Sequence, residues 1–208
     1  MKRSIFISLA VLMVLALSVP VAAVPRLQTY IVDSQYSIYN SGLDYFTWVS
    51  NSSNFDLKVV GYWGAADATY SPSYDYMDCY LAMSVPRDQM GSVYVNGVEI
   101  SAFEKYMNSI PAGTDPSLSL LYNGPSLDRR FSFLDIGRID NEQVGALHYG
   151  FGQIGSPGWG DELTMNVVVR GFDWAHFDAI GVDAQGNTFT NSQFHDSSYH
   201  ATPCLLYT

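Results

Sequence analysis

Few side chains in this 208-residue chain have types and spacing that suit chemistry. His176-Phe177-Asp178 sets an imidazole and a carboxylate two residues apart. In an extended segment side chains repeat every second residue, so both groups would face one way. His195-Asp196 follows downstream, with His200 beyond it. Should the tail fold back beside the strand carrying His176, then His176, Asp178, His195 and Asp196 would meet. Two imidazoles with carboxylates suit zinc, and suit acid–base transfer equally well. The spacings match no established metal or catalytic motif. The plainer reading is that these imidazoles hydrogen-bond to backbone and secure the chain end.

Asp183-Ala184-Gln185-Gly186-Asn187 gathers carboxylate, amide and backbone oxygens around a glycine. Calcium takes about six to eight such oxygens, and this stretch has no terminal bidentate Glu. A hairpin turn is the expectation, with no cofactor required and a structural calcium in the acidic loops as a candidate ion beside the zinc reading of the histidines. Asp161-Glu162 and Asp140-Asn141-Glu142 are carboxylate pairs of the type glycosidases use. Retaining enzymes hold theirs about 5–5.5 Å apart across a cleft. Adjacent residues on a strand face opposite sides, so both pairs read as turn or surface residues. Nucleophile-elbow, His-Glu-x-x-His and phosphate-loop patterns do not occur. Trp63, Tyr70, Tyr74, Tyr76 and Trp159 are expected in or next to loops, where rings can stack on sugar faces or cover the edges of a sheet. Cys79 and Cys204 permit a disulfide without requiring one.

The elements that must position these groups read as strands. Lysine is scarce while Tyr and Phe number 15 and 11, a strand-and-turn composition. Pro25–Val32, Tyr45–Val49, Phe55–Val60, Cys79–Val85, Leu134–Ile139, Val144–Phe151 and Leu163–Val169 are predicted strands. Ser92–Val95 and Val98–Ile100 flank Asn96-Gly97, the pair that best accepts the positive φ of a type I′ hairpin. A second hairpin joins Ala179–Val182 to Thr188–Thr190. Ser101–Met107 is predicted as a short helix, Gly155–Gly160 as a turn, and Asn191–Thr208 as an irregular tail. The alternation predicts one β-sandwich, jelly-roll-like with long loops, in which Leu57, Val59, Leu81, Met83, Val167 and Val169 point inward.

The N-terminus has its own logic. Lys2 and Arg3 precede the apolar stretch Ile5–Val19, Pro20 ends it, and Val21-Ala22-Ala23 offers a small-residue cleavage site. That is the three-part pattern of a secretory leader. Its apolar run is short of the roughly 20 residues a membrane span needs. Residues 1–23 are expected to be removed, leaving a single domain over 24–208 with no membrane span. Losing Lys2 and Arg3 takes the net charge from −10 to −12. Such a surface repels nucleic-acid backbones and anionic lipids. Divalent cations, neutral glycans such as exopolysaccharide, and other cell-surface components remain as partners.

Several stretches resemble the exported bacterial choice-of-anchor N proteins. They are Pro25-Arg26-Leu27-Gln28-Thr29-Tyr30-Ile31, Thr47-Trp48-Val49, Phe55–Gly61, Asp78–Pro86, Gly171–Ala179 and Phe194-His195-Asp196, in that order. The resemblance implies export and a surface or matrix setting, and it names no substrate. Members of that family end in sorting signals, often of the PEP-CTERM type. After Thr202-Pro203 this chain has only Cys204-Leu205-Leu206-Tyr207-Thr208, so such an anchor is expected to be truncated or absent. Three functions follow in order: a non-enzymatic surface or extracellular-matrix-associated protein, a carbohydrate-binding module with or without calcium, and a glycosidase-like or metal-dependent hydrolase.

Overall fold

The computed structural model describes residues 26–37, 47–65, 76–104, 129–144, 148–149, 153–154, 158–190 and 196–200. Its strands, in chain order, are β1 (Arg26–Ile31), β2 (Gln35–Ser37), β3 (Thr47–Ser50), β4 (Asn54–Ala65), β5 (Tyr76–Pro86), β6 (Ser92–Val95), β7 (Val98–Ile100) and β8 (Arg129–Asp140). They continue as β9 (Gln143–Val144), β10 (His148–Tyr149), β11 (Gln153–Ile154), β12 (Gly158–Arg170), β13 (Trp174–Asp183), β14 (Thr188–Thr190) and β15 (Asp196–His200). The first sheet runs β1-β4-β12-β6-β7, with β9 also on β12. The second runs β2-β3-β15-β13-β5-β8, with β14 also on β13, and β10 and β11 form a small ribbon. Pairing is antiparallel except between β15 and β3, which run parallel.

The two sheets pack face to face, as the alternation predicts. Phe55, Leu57, Val59 and Trp63 of β4 and Met165, Val167 and Val169 of β12 meet Met77, Cys79, Leu81, Met83 and Val85 of β5 and Ala175, Phe177 and Ala179 of β13 in one buried cluster. The six residues expected to point inward all lie in it. Each large apolar side chain so buried contributes about 1.5–3 kcal/mol. Gly61 of β4 leaves room for the opposite sheet, since an added Cβ would stand 2.7 Å from Ile139 Cγ2.

The β6–β7 hairpin turns at Asn96 (φ 49°) and Gly97 (φ 80°), both with the positive φ of a type I′ turn. Asn96 Oδ1 also accepts from Asn166 N at 2.9 Å, tying the turn to β12.

Three expectations are corrected. Ser101–Glu104 is not helical: Glu104 bridges the edge strand β8 at Phe131, and the rest of the predicted helix lies outside the described residues. Gly158-Trp159-Gly160 is strand rather than turn, because β12 carries a register shift between Trp159 and Gly160 and continues through it. Asp196–His200 is not irregular, since β15 sits between β3 and β13 inside the second sheet. Its polar sequence hid a strand whose backbone is bonded on both sides.

Candidate functional site

The chemistry-bearing residues divide between the two outer faces of the sandwich. On β13, Ala175, Phe177 and Ala179 fill the core, so His176, Asp178 and Ile180 face the other way. Register sets His176 beside Ser84, Asp178 beside Ala82, and Ile180 beside Tyr80 on β5. This outer face is covered: His176 and Asp178 are each 4% exposed, Ser84 and Ala82 2%. His176 Nε2 lies 3.5 Å from Asp178 Oδ2, so the pair does share one strand face. Ser84 Oγ is buried with no hydrogen-bond partner among the described residues. Nearby, Arg129 is buried with its guanidinium 5.8 Å from the Trp174 ring.

The tail strand lies alongside. Ser198 pairs with His176 and Ser197 with Phe177. Continuing that register by one residue sets Asp196, the first residue of β15, across from Asp178. His195 lies outside the described residues. Among the described side chains no group of three His, Cys, Asp or Glu stands close enough to hold a metal ion.

The outer face of the first sheet differs. Asn54 and Asp56 of β4 and Asn166 of β12 are exposed, and Asp56 pairs in register with Asn166. Asn166 Nδ2 donates to Asn54 Oδ1 at 3.0 Å and to Asp56 Oδ1 at 3.3 Å. Ser92 Oγ donates to Glu99 Oε1 at 2.6 Å. The Arg170 guanidinium lies 4.9 Å from the Tyr94 ring, whose backbone pairs with Val168. Lys58 and Glu162, half-buried on the same face, form an ion pair. Glu162 therefore belongs to a strand, not a turn. The result is a row of amides, carboxylates and one ring held on paired strands.

The other predicted site residues lie elsewhere. Asp183 is 4% exposed, and its Oδ1 accepts from Gln185 N at 2.9 Å and Asn187 N at 2.7 Å. Its Oδ2 accepts from Asn187 Nδ2 at 2.8 Å. That carboxylate is used by the hairpin turn itself, as the turn reading expects. Trp63 is not a loop aromatic: β4 runs on to Ala65 and its indole is 2% exposed in the core. Trp159 likewise sits in β12, partly buried against the core. Tyr76 opens β5 with the Arg138 guanidinium 3.6 Å from its ring centre, so one face is taken. Strand propensity explains these corrections, since aromatics favour pleated, half-buried positions. Tyr70 and Tyr74 lie outside the described residues. Cys79 is a free thiol buried in the core, and Cys204 lies outside the described residues. Burial, then the nearby charges of Asp78 and Asp135, push the Cys79 thiol up to about 12.

Sequence reasoning passed over Ser84 and the Asn54–Asp56–Asn166 array. Asn54 and Asp56 carry an i, i+2 polar signal of the same form as His176 and Asp178. Ser84 carries none, because its meaning comes from a cross-strand partner 92 positions away.

No family model matches this chain, and no curated protein does. Among solved structures it is similar to the C-terminal domain of the AgI/II polypeptide BspA of Streptococcus agalactiae, at 14% identity and a TM-score of 0.28. A second structure, titled BspA_C_WT, gives 17% identity and a TM-score of 0.28. The match covers 85% of this chain but 50% of either of those chains. Superpositions this loose carry no argument about role.

Proposed function

We propose that this protein is an exported, non-enzymatic surface or matrix component that binds its partner through the solvent side of the first sheet. The observation that carries this reading is the fixed row Asn54–Asp56–Asn166. Side chains already held by hydrogen bonds on rigid strands lose little freedom on binding, which favours affinity. The competing His176–Asp178 pair is 4% exposed at each residue and offers a substrate no comparable surface. Export rests on the leader-like residues 1–23.

The finer reading is a neutral polysaccharide partner. Sugar hydroxyls donate and accept, and the row presents amide donors beside carboxylate acceptors. A protein with net charge −10 does not repel an uncharged chain as it would an anionic one. The test is a glycan array on the purified protein with and without EDTA, paired with fractionation of the source cells. The expected result is recovery outside the cytoplasm and binding to neutral glycans that falls about tenfold in Asn166→Ala, a loss near 1.4 kcal/mol. An exclusively cytoplasmic pool would sink the export reading. Glycan binding indifferent to Asn166→Ala would sink the assignment of the face.

A further inference from the structure

The turn between β3 and β4 carries an amide that neither the fold nor the proposed binding face uses. We propose that Asn51 in this turn is the acceptor for an N-linked oligosaccharide, transferred from a lipid-linked donor during export.

The first argument is the sequence. Asn51-Ser52-Ser53 has the form Asn-x-Ser/Thr with a middle residue other than proline, and no other Asn in the chain begins such a triplet. That pattern is the acceptor for N-glycosylation in secreted proteins, where it lies in surface loops. The leader-like residues 1–23 give the chain the route on which such transfer takes place.

The second argument is the side chain. Asn is common in turns because its side chain bonds to the backbone two residues on. Asn51 does not: among the described residues no hydrogen bond holds its amide. The serines hold the turn instead. Ser50 Oγ accepts from Ser52 N at 3.1 Å, Ser52 Oγ donates to Asn54 O at 2.7 Å, and Ser53 O accepts from Val169 N at 2.8 Å. The side-chain amides of Asn54, Asn96, Asn166 and Asn187 are, by contrast, all engaged.

The third argument is room. Asn51, Ser52 and Ser53 are all exposed, between the end of β3 at Ser50 and the start of β4 at Asn54. Exposed loop tips of small polar residues are where chains best tolerate additions. An amide that stands in solvent outside every hydrogen bond gives up nothing when a glycan is attached to it.

The transfer balances without a redox step. Asn51 Nδ2 bonds to the anomeric carbon of the donor sugar and gives up one proton to a base of the transferase. The bond from that carbon to the donor's phosphate oxygen breaks, and the lipid-linked phosphate leaves with the electron pair. The Ser53 hydroxyl completes the pattern that the transferase reads. The proposal rests on the export reading and is independent of what the first sheet binds.

The test is mass spectrometry of the full chain recovered from fractionated source cells. The exported protein should be heavier than its sequence, with the added mass on the peptide that contains Asn51. Enzymatic removal of N-linked glycans should restore the mass and convert Asn51 to aspartate. Asn51→Gln and Ser53→Ala should each abolish the added mass. Ser53→Thr keeps the pattern and Ser52→Ala changes only its middle residue, so both should retain it. Exported protein with Asn51 unmodified overturns the proposal and leaves the export reading standing. A wholly cytoplasmic, unmodified pool overturns both. Added mass that survives Asn51→Gln, or is lost in Ser52→Ala alone, overturns the assignment to this amide.

Discussion

Asn54-Phe55-Asp56 on β4 and His176-Phe177-Asp178 on β13 have the same form: two polar residues around a phenylalanine that enters the core. Phe55 and Phe177 even meet, their ring centres 5.8 Å apart at 77°. Yet Asn54 and Asp56 are exposed, whereas His176 and Asp178 are buried. The local pattern fixes which way a side chain points and says nothing of what covers it. Around Asp56 the neighbours on the sheet are polar, with Asn166 in register. Around Asp178 they are Ala82 and Ile180, themselves buried with Tyr80 and Phe133 packed on them. One carboxylate is solvated and the other depends on its partners.

The sharpest way to break this comparison is to remove both carboxylates in turn. Asp178→Ala should destabilise the protein by about 3 kcal/mol, because a buried imidazole then loses its partner. Asp56→Ala should stay within about 0.5 kcal/mol, as exposed positions do. Urea unfolding at pH 7 measures both. Equal losses would show that the two faces do not differ in the way their burial implies.

Cys79, on the core side of the second sheet, gives a pH-dependent comparison. Its thiol is neutral when protonated, and burial raises its folded pKa from 9.0 to about 12. The unfolded chain therefore loses this proton first. The thiol's contribution is complete below pH 9 and falls as pH climbs from 9 towards 12, at no more than about 1.4 kcal/mol per pH unit. Other groups titrate in that window, so the measurement is the difference in slope between the protein and Cys79→Ala. The native thiol should also resist alkylation at pH 8. Rapid labelling without unfolding would contradict its burial.

On the first sheet the hairpin is the sensitive point. Gly97→Val should cost roughly 1 kcal/mol or more, because a β-branched residue resists positive φ. The space around an added Cβ is open, so the loss is backbone strain and not collision. An unchanged melting temperature would count against the turn.

The sandwich was legible because alternation along Phe55–Val60 and Leu163–Val169 reports directly on one buried face. The Asn96-Gly97 turn was legible because few residue pairs tolerate its backbone. β15 was not, since Asp196-Ser197-Ser198-Tyr199-His200 has the composition of a loop and becomes a strand through partners on both sides. Trp63, Tyr76 and Trp159 misled for the opposite reason: near Gly, Ser and Pro they read as loop rings, while the strands ran further than the clean alternation. The His176–Asp178 pair was visible from spacing alone. Its neighbour Ser84 was not, because cross-strand register is a tertiary fact.

Ser84 yields the smallest and most discriminating effect. Its hydroxyl is buried with no hydrogen-bond partner among the described residues, so Ser84→Ala removes a desolvated group and adds little cavity. Stability should rise by up to about 1 kcal/mol, a gain that mutations of buried polar groups rarely give. Urea unfolding of the protein and of Ser84→Ala measures the difference. A loss of more than about 1 kcal/mol would mean that the hydroxyl has a strong partner on the covered face of the second sheet.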